Sequence, residues 1–424
     1  MRRGIIIGFL VSLLIVGITS TIVFAQEKIN LVFRQQDPEG LIGRLKDVFT
    51  IYEQTHPNIR VEFQTVPWSE AFKQLIRETQ VGGGPDLCQV AYVWARDLGI
   101  MGATENLTPY IKRDFSPEKI NDWMHWEIGE YKGNIYGVPW TTDSLGILYR
   151  EDLFKEAGLD LPDTWTELLA TAMLLSKDKD GDGVIDQWGL GMSGAQMWFW
   201  VAVSIWTHGL EIVEQDPKTG KWQAGFNNLA GKNIVRYWKD FIKFGASPEG
   251  IISIPSWTSP ELINGLRFGD FAMIFSWPRQ FVIMKEQDPK LPVKGYYMPG
   301  AVHRYTMTGG RELAINKYSK HKEEAWELLK FLTKKEIFEK YYPEIPPQRS
   351  IIKTMDWDIR QVFAEMILTG RTYIHEIRSP APVDQLWDIF NREFSALLSG
   401  EKTVDETHKS LVNKVNEALK RGIK

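Results

Sequence analysis

Cysteine is almost absent from this chain: the 424 residues hold one, Cys88, so no disulfide can form within the molecule. Without such staples a folded chain of this length depends on apolar cores, and 424 residues exceed what one core supports, so two domains are expected. Catalytic signatures are missing too. There is no G-x-S-x-G elbow, no H-E-x-x-H metal helix, no phosphate-binding loop, and no base paired with Cys88 in its apolar run. A surplus of positive charge is also missing: 50 basic residues stand against 54 acidic ones, which points to neither nucleic acid nor a membrane surface as partner. No internal repeat or low-complexity tract interrupts the chain.

Charge is absent from Gly4 to Phe24 as well, directly behind Arg2 and Arg3, and Val23-Phe24-Ala25 supplies modest side chains where a processing enzyme would cut. This is the layout of a secretory signal peptide, residues 1–25, cleaved near Ala25; the stretch is also long enough for a membrane anchor, but it passes at once into polar Gln26-Glu27-Lys28. Removing two arginines leaves 48 basic against 54 acidic residues, a net charge of −6. No cysteine near the cut offers a lipid attachment point, so a freely diffusing periplasmic monomer is expected.

What the chain has in excess is tryptophan, 17 residues. A flat ring with one N–H donor suits a ligand with apolar faces and hydroxyl edges. Further organisation comes from periodicity. Ile29–Phe33, Ile59–Phe63 and Asp86–Val93 read as strands. Between them lie a helix with Leu41, Leu45, Val48, Phe49 and Tyr52 on one face and a helix over Ser69–Gln80, ended by Gly82-Gly83-Gly84-Pro85. Such a βαβαβ unit implies a parallel, doubly wound sheet. Later, Gly158 can cap a short helix in the left-handed conformation and Thr164-Trp165-Thr166-Glu167 has capping-box spacing.

The run from Gly133 to Glu167, GNIYGVPWTTDSLGILYREDLFKEAGLDLPDTWTE, resembles the signature region of family 1 extracellular solute-binding proteins, as do GGGPDL at 82–87 and Leu266–Ile274 with its Ala272-Met273 pair. The resemblance implies an α/β fold of two lobes, each a mostly parallel sheet flanked by helices, joined by three hinge crossings. Its N-terminal lobe would be 26–138 plus 308–345, and its C-terminal lobe 139–307 plus 346–424. It also implies a carbohydrate ligand, an oligosaccharide given the number of rings, handed to inner-membrane permease subunits of an ABC importer. In maltose-binding members, aromatics at positions resembling Trp198 or Phe199, Trp277 and Trp387 stack on sugar rings. That role is carried to Trp198, Trp277 and Trp387, and further to Trp68, Trp94, Trp140 and Trp200 at loops and element ends. Trp165 and Trp326 read as packing residues. Asp143, Asp37, Arg279 and Arg311 would grip hydroxyls. Arg96, like the other arginines, reads equally as a bridge between lobes. A peptide, polyamine or phosphorylated polyol in the same fold is the alternative, and a glycoside hydrolase the more distant one.

No cofactor is required, but Asp178-Lys179-Asp180-Gly181-Asp182-Gly183-Val184-Ile185-Asp186 has the spacing of a calcium loop. Asp178, Asp180, Asp182, the Val184 carbonyl and Asp186 are the expected ligands of a structural calcium. Position 12 departs from the pattern, being Gly189 in place of a bidentate glutamate.

Overall fold

The computed structural model describes residues 28–36, 42–342 and 344–422. The expected signal segment and Asp37 lie outside the described residues. Nine strands form two sheets: β1 (Ile29–Gln35), β2 (Ile59–Thr65), β3 (Leu87–Ala91), β4 (Val138–Ser144), β5 (Gly146–Arg150), β6 (Trp188–Gly191), β7 (Phe271–Ser276), β8 (Val293–Tyr296) and β9 (Thr308–Ile315). The first sheet runs β2-β1-β3-β9-β4 and the second β8-β5-β7-β6.

The first lobe follows from its hydrophobic pattern. Leu31 and Phe33 of β1 are fully buried, and Leu45, Val48, Phe49 and Tyr52 of the helix Ile42–Thr55 pack onto them. β1 pairs in parallel with β2 and β3, as a βαβαβ unit requires. Strand β3 stops at Ala91 and the helix Tyr92–Ile100 begins at once, so Trp94 sits in a helical first turn, not in the expected loop. Cys88 is buried in β3, and burial pushes its thiol up to about 12, so it is inert.

The second sheet is mixed: β7 runs parallel to β6 and antiparallel to β5, which also pairs antiparallel with β8. Its antiparallel strand β5 is the one entered straight from the other lobe. Around it, Trp200, Trp206, Trp238 and Phe275 are fully buried. Two readings of local sequence are present as expected. Gly158 has φ 64° at the end of the helix Glu151–Ala157, and Thr164 Oγ1 accepts from Glu167 N (3.2 Å) while Glu167 Oε2 accepts from Thr164 N (3.0 Å).

Three passages join the lobes. β4 belongs to the first sheet, so the first passage falls at Leu145, later than a boundary after residue 138. The return enters β9, and the third lies near Ile345. They are bonded side by side: Leu145 N donates to Met307 O (3.0 Å) and Thr142 N to Ile345 O (2.6 Å). The helices Val383–Leu398 and Val404–Arg421 close the second lobe.

Candidate functional site

The strands that pass between the lobes carry the polar centre of the site. In the register of β4 and β9, Gly309 faces Asp143 and Arg311 faces Thr141. Arg311 Nη1 lies 3.2 Å from Asp143 Oδ2 and 3.4 Å from Thr141 Oγ1, and its guanidinium stands 5.8 Å from the Trp68 ring centroid. A planar cation held between a carboxylate and an aromatic face is fixed in orientation. The intervening Gly310 has φ 154°, and a Cβ there would come within 2.2 Å of the Thr141 carbonyl and 2.5 Å of the Tyr92 ring, so glycine is required for this close approach.

Aromatic rings flank that pair from both lobes. Trp68, at the start of the helix Trp68–Gln80, lies 5.4 Å from Trp94, which in turn lies 5.6 Å from Phe72. From the second lobe comes Trp277, directly after β7, whose ring reaches the hinge strand: a Cβ on Gly309 would be 3.7 Å from it. Phe199 stands edge-on to Trp277 at 6.0 Å and 5.8 Å from Trp387, while Trp257 is 6.3 Å from Trp277. Trp68, Trp94, Phe199, Trp257 and Trp387 are half-buried, leaving ring surface for a ligand.

Three expected platforms are packing residues instead. Trp140 is 3 % exposed in the first core and donates its N–H to Leu332 O. Trp200 is fully buried, stacked on Phe275 at 5.0 Å, with its N–H on Ser193 O. Trp198 is 1 % exposed, sandwiched by Tyr373 and Phe390; its helix turns Phe199 toward the cleft in its place. On the helix Met197–Thr207 successive side chains project roughly 100° apart, so Trp198 and Phe199 point in different directions and only Trp198 enters the core. Sequence reading missed Trp257, although it sits in a Ser-Trp-Thr-Ser-Pro turn before a helix, the same local grammar as Ser276-Trp277-Pro278.

Arg279 lies 4.0 Å from the buried Glu344. Arg96 donates to the Ile377 carbonyl in the other lobe (2.7 Å). Burial holds the carboxyls of Asp97 and Asp384 above their usual range, and charge on Asp384 adds to the shift of Asp97, so acidic groups of the two lobes face one another beside Arg96.

The Asp-rich loop is remote from these rings. Oxygens of Asp178, Asp180 and Asp186 lie within 4.8 Å of one another, all exposed. Asp182 is not in this group; its carboxylate accepts from Val184 N (2.8 Å). Backbone N–H groups of Gly183 and Gly181 keep Asp178 below the usual carboxylate range. Position 12 has no room for a ligand: a Cβ on Gly189 would lie 1.9 Å from the Ala172 carbonyl oxygen. Three carboxylates around one point suit a hard cation, with the remaining positions left to water.

Comparison with known proteins agrees with this architecture. A family model described as bacterial extracellular solute-binding protein matches residues 36–337. The multiple sugar-binding protein of Streptococcus mutans is 22 % identical over 359 residues, covering 77 % of this chain and 79 % of that protein. An ABC transporter solute-binding protein from Thermotoga lettingae, solved with alpha-D-tagatose, superposes with a TM-score of 0.77 at 22 % identity, covering 93 % of this chain and 100 % of that one. The GacH receptor of Streptomyces glaucescens, solved unliganded and with acarbose, gives 0.77 at 20 % identity over 93 % and 99 %.

Proposed function

Because the chain belongs to the bacterial extracellular solute-binding protein family, we propose that it captures an oligosaccharide between its two lobes and delivers it to the permease subunits of an ATP-driven importer. The observation that carries this reading is the pairing of ring platforms on both walls, Trp68 and Trp94 facing Phe199, Trp257, Trp277 and Trp387, around the Arg311–Asp143 pair. A sugar ring offers an apolar face to each platform and hydroxyl edges to the charged pair. More than one platform per wall suits a ligand of more than one ring. The Streptococcus protein is named for sugar binding, and the Thermotoga and Streptomyces proteins were solved with tagatose and acarbose, which supports a carbohydrate ligand.

Contacts from both lobes favour the closed arrangement, since a ligand shifts an equilibrium only through differential affinity for its two states. In this reading the protein is a carrier and not a catalyst. It is exported, with the segment ahead of Gln26 removed; among the described residues no helix is long and apolar enough to cross a membrane. The loop at Asp178, Asp180 and Asp186 would hold a structural calcium, tested by whether calcium raises and a chelator lowers the melting temperature.

The functional test is calorimetric titration of residues 26–424 with tagatose, maltose, maltotriose and larger maltodextrins, beside spermidine, a tripeptide and glycerol 3-phosphate. Binding of an oligosaccharide that Trp277→Ala and Trp387→Ala each weaken about tenfold or more supports the proposal. Binding of only a charged solute overturns it.

A further inference from the structure

Besides the three backbone passages, several side-chain contacts join the lobes, among them Ser350 to Asp122 and Arg349 to the Asn121 carbonyl, close to the third passage; two others reach across from arginines of the first lobe. Arg44 rises from the helix Ile42–Thr55, whose Leu45, Val48, Phe49 and Tyr52 belong to the first core. Its Nη2 meets Glu286 Oε1 at 2.6 Å, and Glu286 lies on the helix Pro278–Gln287, anchored in the second core through Phe281 and Met284. The second contact is the Arg96 hydrogen bond to the Ile377 carbonyl, 2.7 Å long. Here the guanidinium is held on its own side by Tyr131, 5.2 Å from its ring centroid, and by Asp97 at 3.8 Å. Neither pair is part of a hinge strand, so each must break when the lobes swing apart about those strands.

We propose that the Arg44–Glu286 ion pair and the Arg96–Ile377 hydrogen bond are clasps that hold the two lobes together in the absence of ligand. The two differ in kind. Arg44 and Glu286 are 35 % and 52 % exposed, so water and salt screen their attraction. Losing such a pair changes the closed-to-open ratio about twofold to fivefold. Arg96 is 17 % exposed and donates to a neutral oxygen, so its contribution is insensitive to salt and larger, about tenfold. Clasps of this sort raise apparent affinity, because the binding-competent fraction divides the intrinsic dissociation constant. They also make an empty protein resemble a loaded one, which limits how strongly the clasps can be set.

The test uses the mature chain without any sugar, so it stands or falls apart from the ligand reading. Dyes at Lys112→Cys and Lys243→Cys, both exposed and one on each lobe, report lobe separation by single-molecule energy transfer, and buried Cys88 does not compete for label. The expected result is that rising NaCl lowers the closed fraction of the parent protein. Glu286→Gln lowers it about twofold to fivefold and removes the salt response, while the swap Arg44→Glu with Glu286→Arg restores both. Arg96→Ala, or Arg96→Gln if the first does not fold, lowers it about tenfold and leaves the salt response in place. Closed fractions in Glu286→Gln and the folded Arg96 variant that equal the parent's, or a swap that fails to restore closure, would overturn the proposal.

Discussion

Glu312 is the residue from which the sharpest stability prediction follows. It sits on β9 at the register shift beside Arg311, opposite Pro139, which has no N–H to offer. Its side chain is fully buried, and neither carboxyl oxygen has a hydrogen-bond partner among the described residues. The backbone of Gly137 crowds it so closely that a Cβ there would lie 2.3 Å from Oε2. Burial, with some help from the charge on Glu127, lifts the carboxyl well above the usual range, so folding favours its protonated form. The unfolded chain releases that proton near pH 4.3. A folded value raised above the unfolded one means that the full stability is present below about pH 4.3 and is lost as pH climbs toward the folded value. The slope is about 1.4 kcal/mol per pH unit wherever the folded state holds the proton and the unfolded chain has lost it. Glu312→Gln keeps the shape and removes the proton. The variant is therefore expected to match the parent near pH 4.5 and to gain on it as pH rises, by about 1.4 kcal/mol per unit until the folded carboxyl ionises. Urea midpoints followed by tryptophan fluorescence at half-unit pH intervals measure this. Parallel parent and variant curves across pH 5–7 would refute the buried-acid account.

Other substitutions separate packing from binding. Trp140→Ala removes a ring set edge-on to Tyr342 at 5.3 Å and a bond to Leu332 O. It should cost about 3–5 kcal/mol in thermal unfolding while the folded fraction binds sugar with unchanged affinity. Glu393 is 2 % exposed and receives Lys402 and Lys414, each at 2.6 Å, tying the two C-terminal helices together. Although burial alone would raise it, the two lysines hold it below the usual range, so its stabilisation is present above about pH 4.3 and lost as pH falls through the folded value. Glu393→Gln should lower the melting temperature at pH 7 and flatten its decline between pH 5 and pH 3; since solvent reaches both lysines, the loss is about 2 kcal/mol. Thr164→Ala, which opens the capping box, should lower stability by about 1 kcal/mol in urea titrations, with Thr164→Ser restoring most of it.

The sequence made much of the fold readable because its local rules agree with the global one. The face of Leu45, Val48, Phe49 and Tyr52, the glycine at 158 and the box at 164–167 each appear where periodicity and capping place them. The site was legible only in part. Arg311, Asp143 and Trp277 converge on the hinge strands, but nothing local marks Trp200 as a core ring, because it satisfies the same pattern and only its stacking on distant Phe275 covers it. High tryptophan content was ambiguous for the same reason: Trp206, Trp238, Trp326 and Trp357 fill cores and never approach the cleft wall.

The place of β9 in the first sheet also bears on how the molecule is made. It lies between β3 and β4, yet of the nine strands of the two sheets it comes last in the chain. Until residue 315 has been synthesised, β3 and β4 have no neighbour to join them, and every strand of the second sheet, lying between β4 and β9 in the chain, must already have been made. Long-range closure of this kind is slow and cannot nucleate on a growing chain. A nascent first lobe therefore stays loose until the strand that closes its sheet has been made.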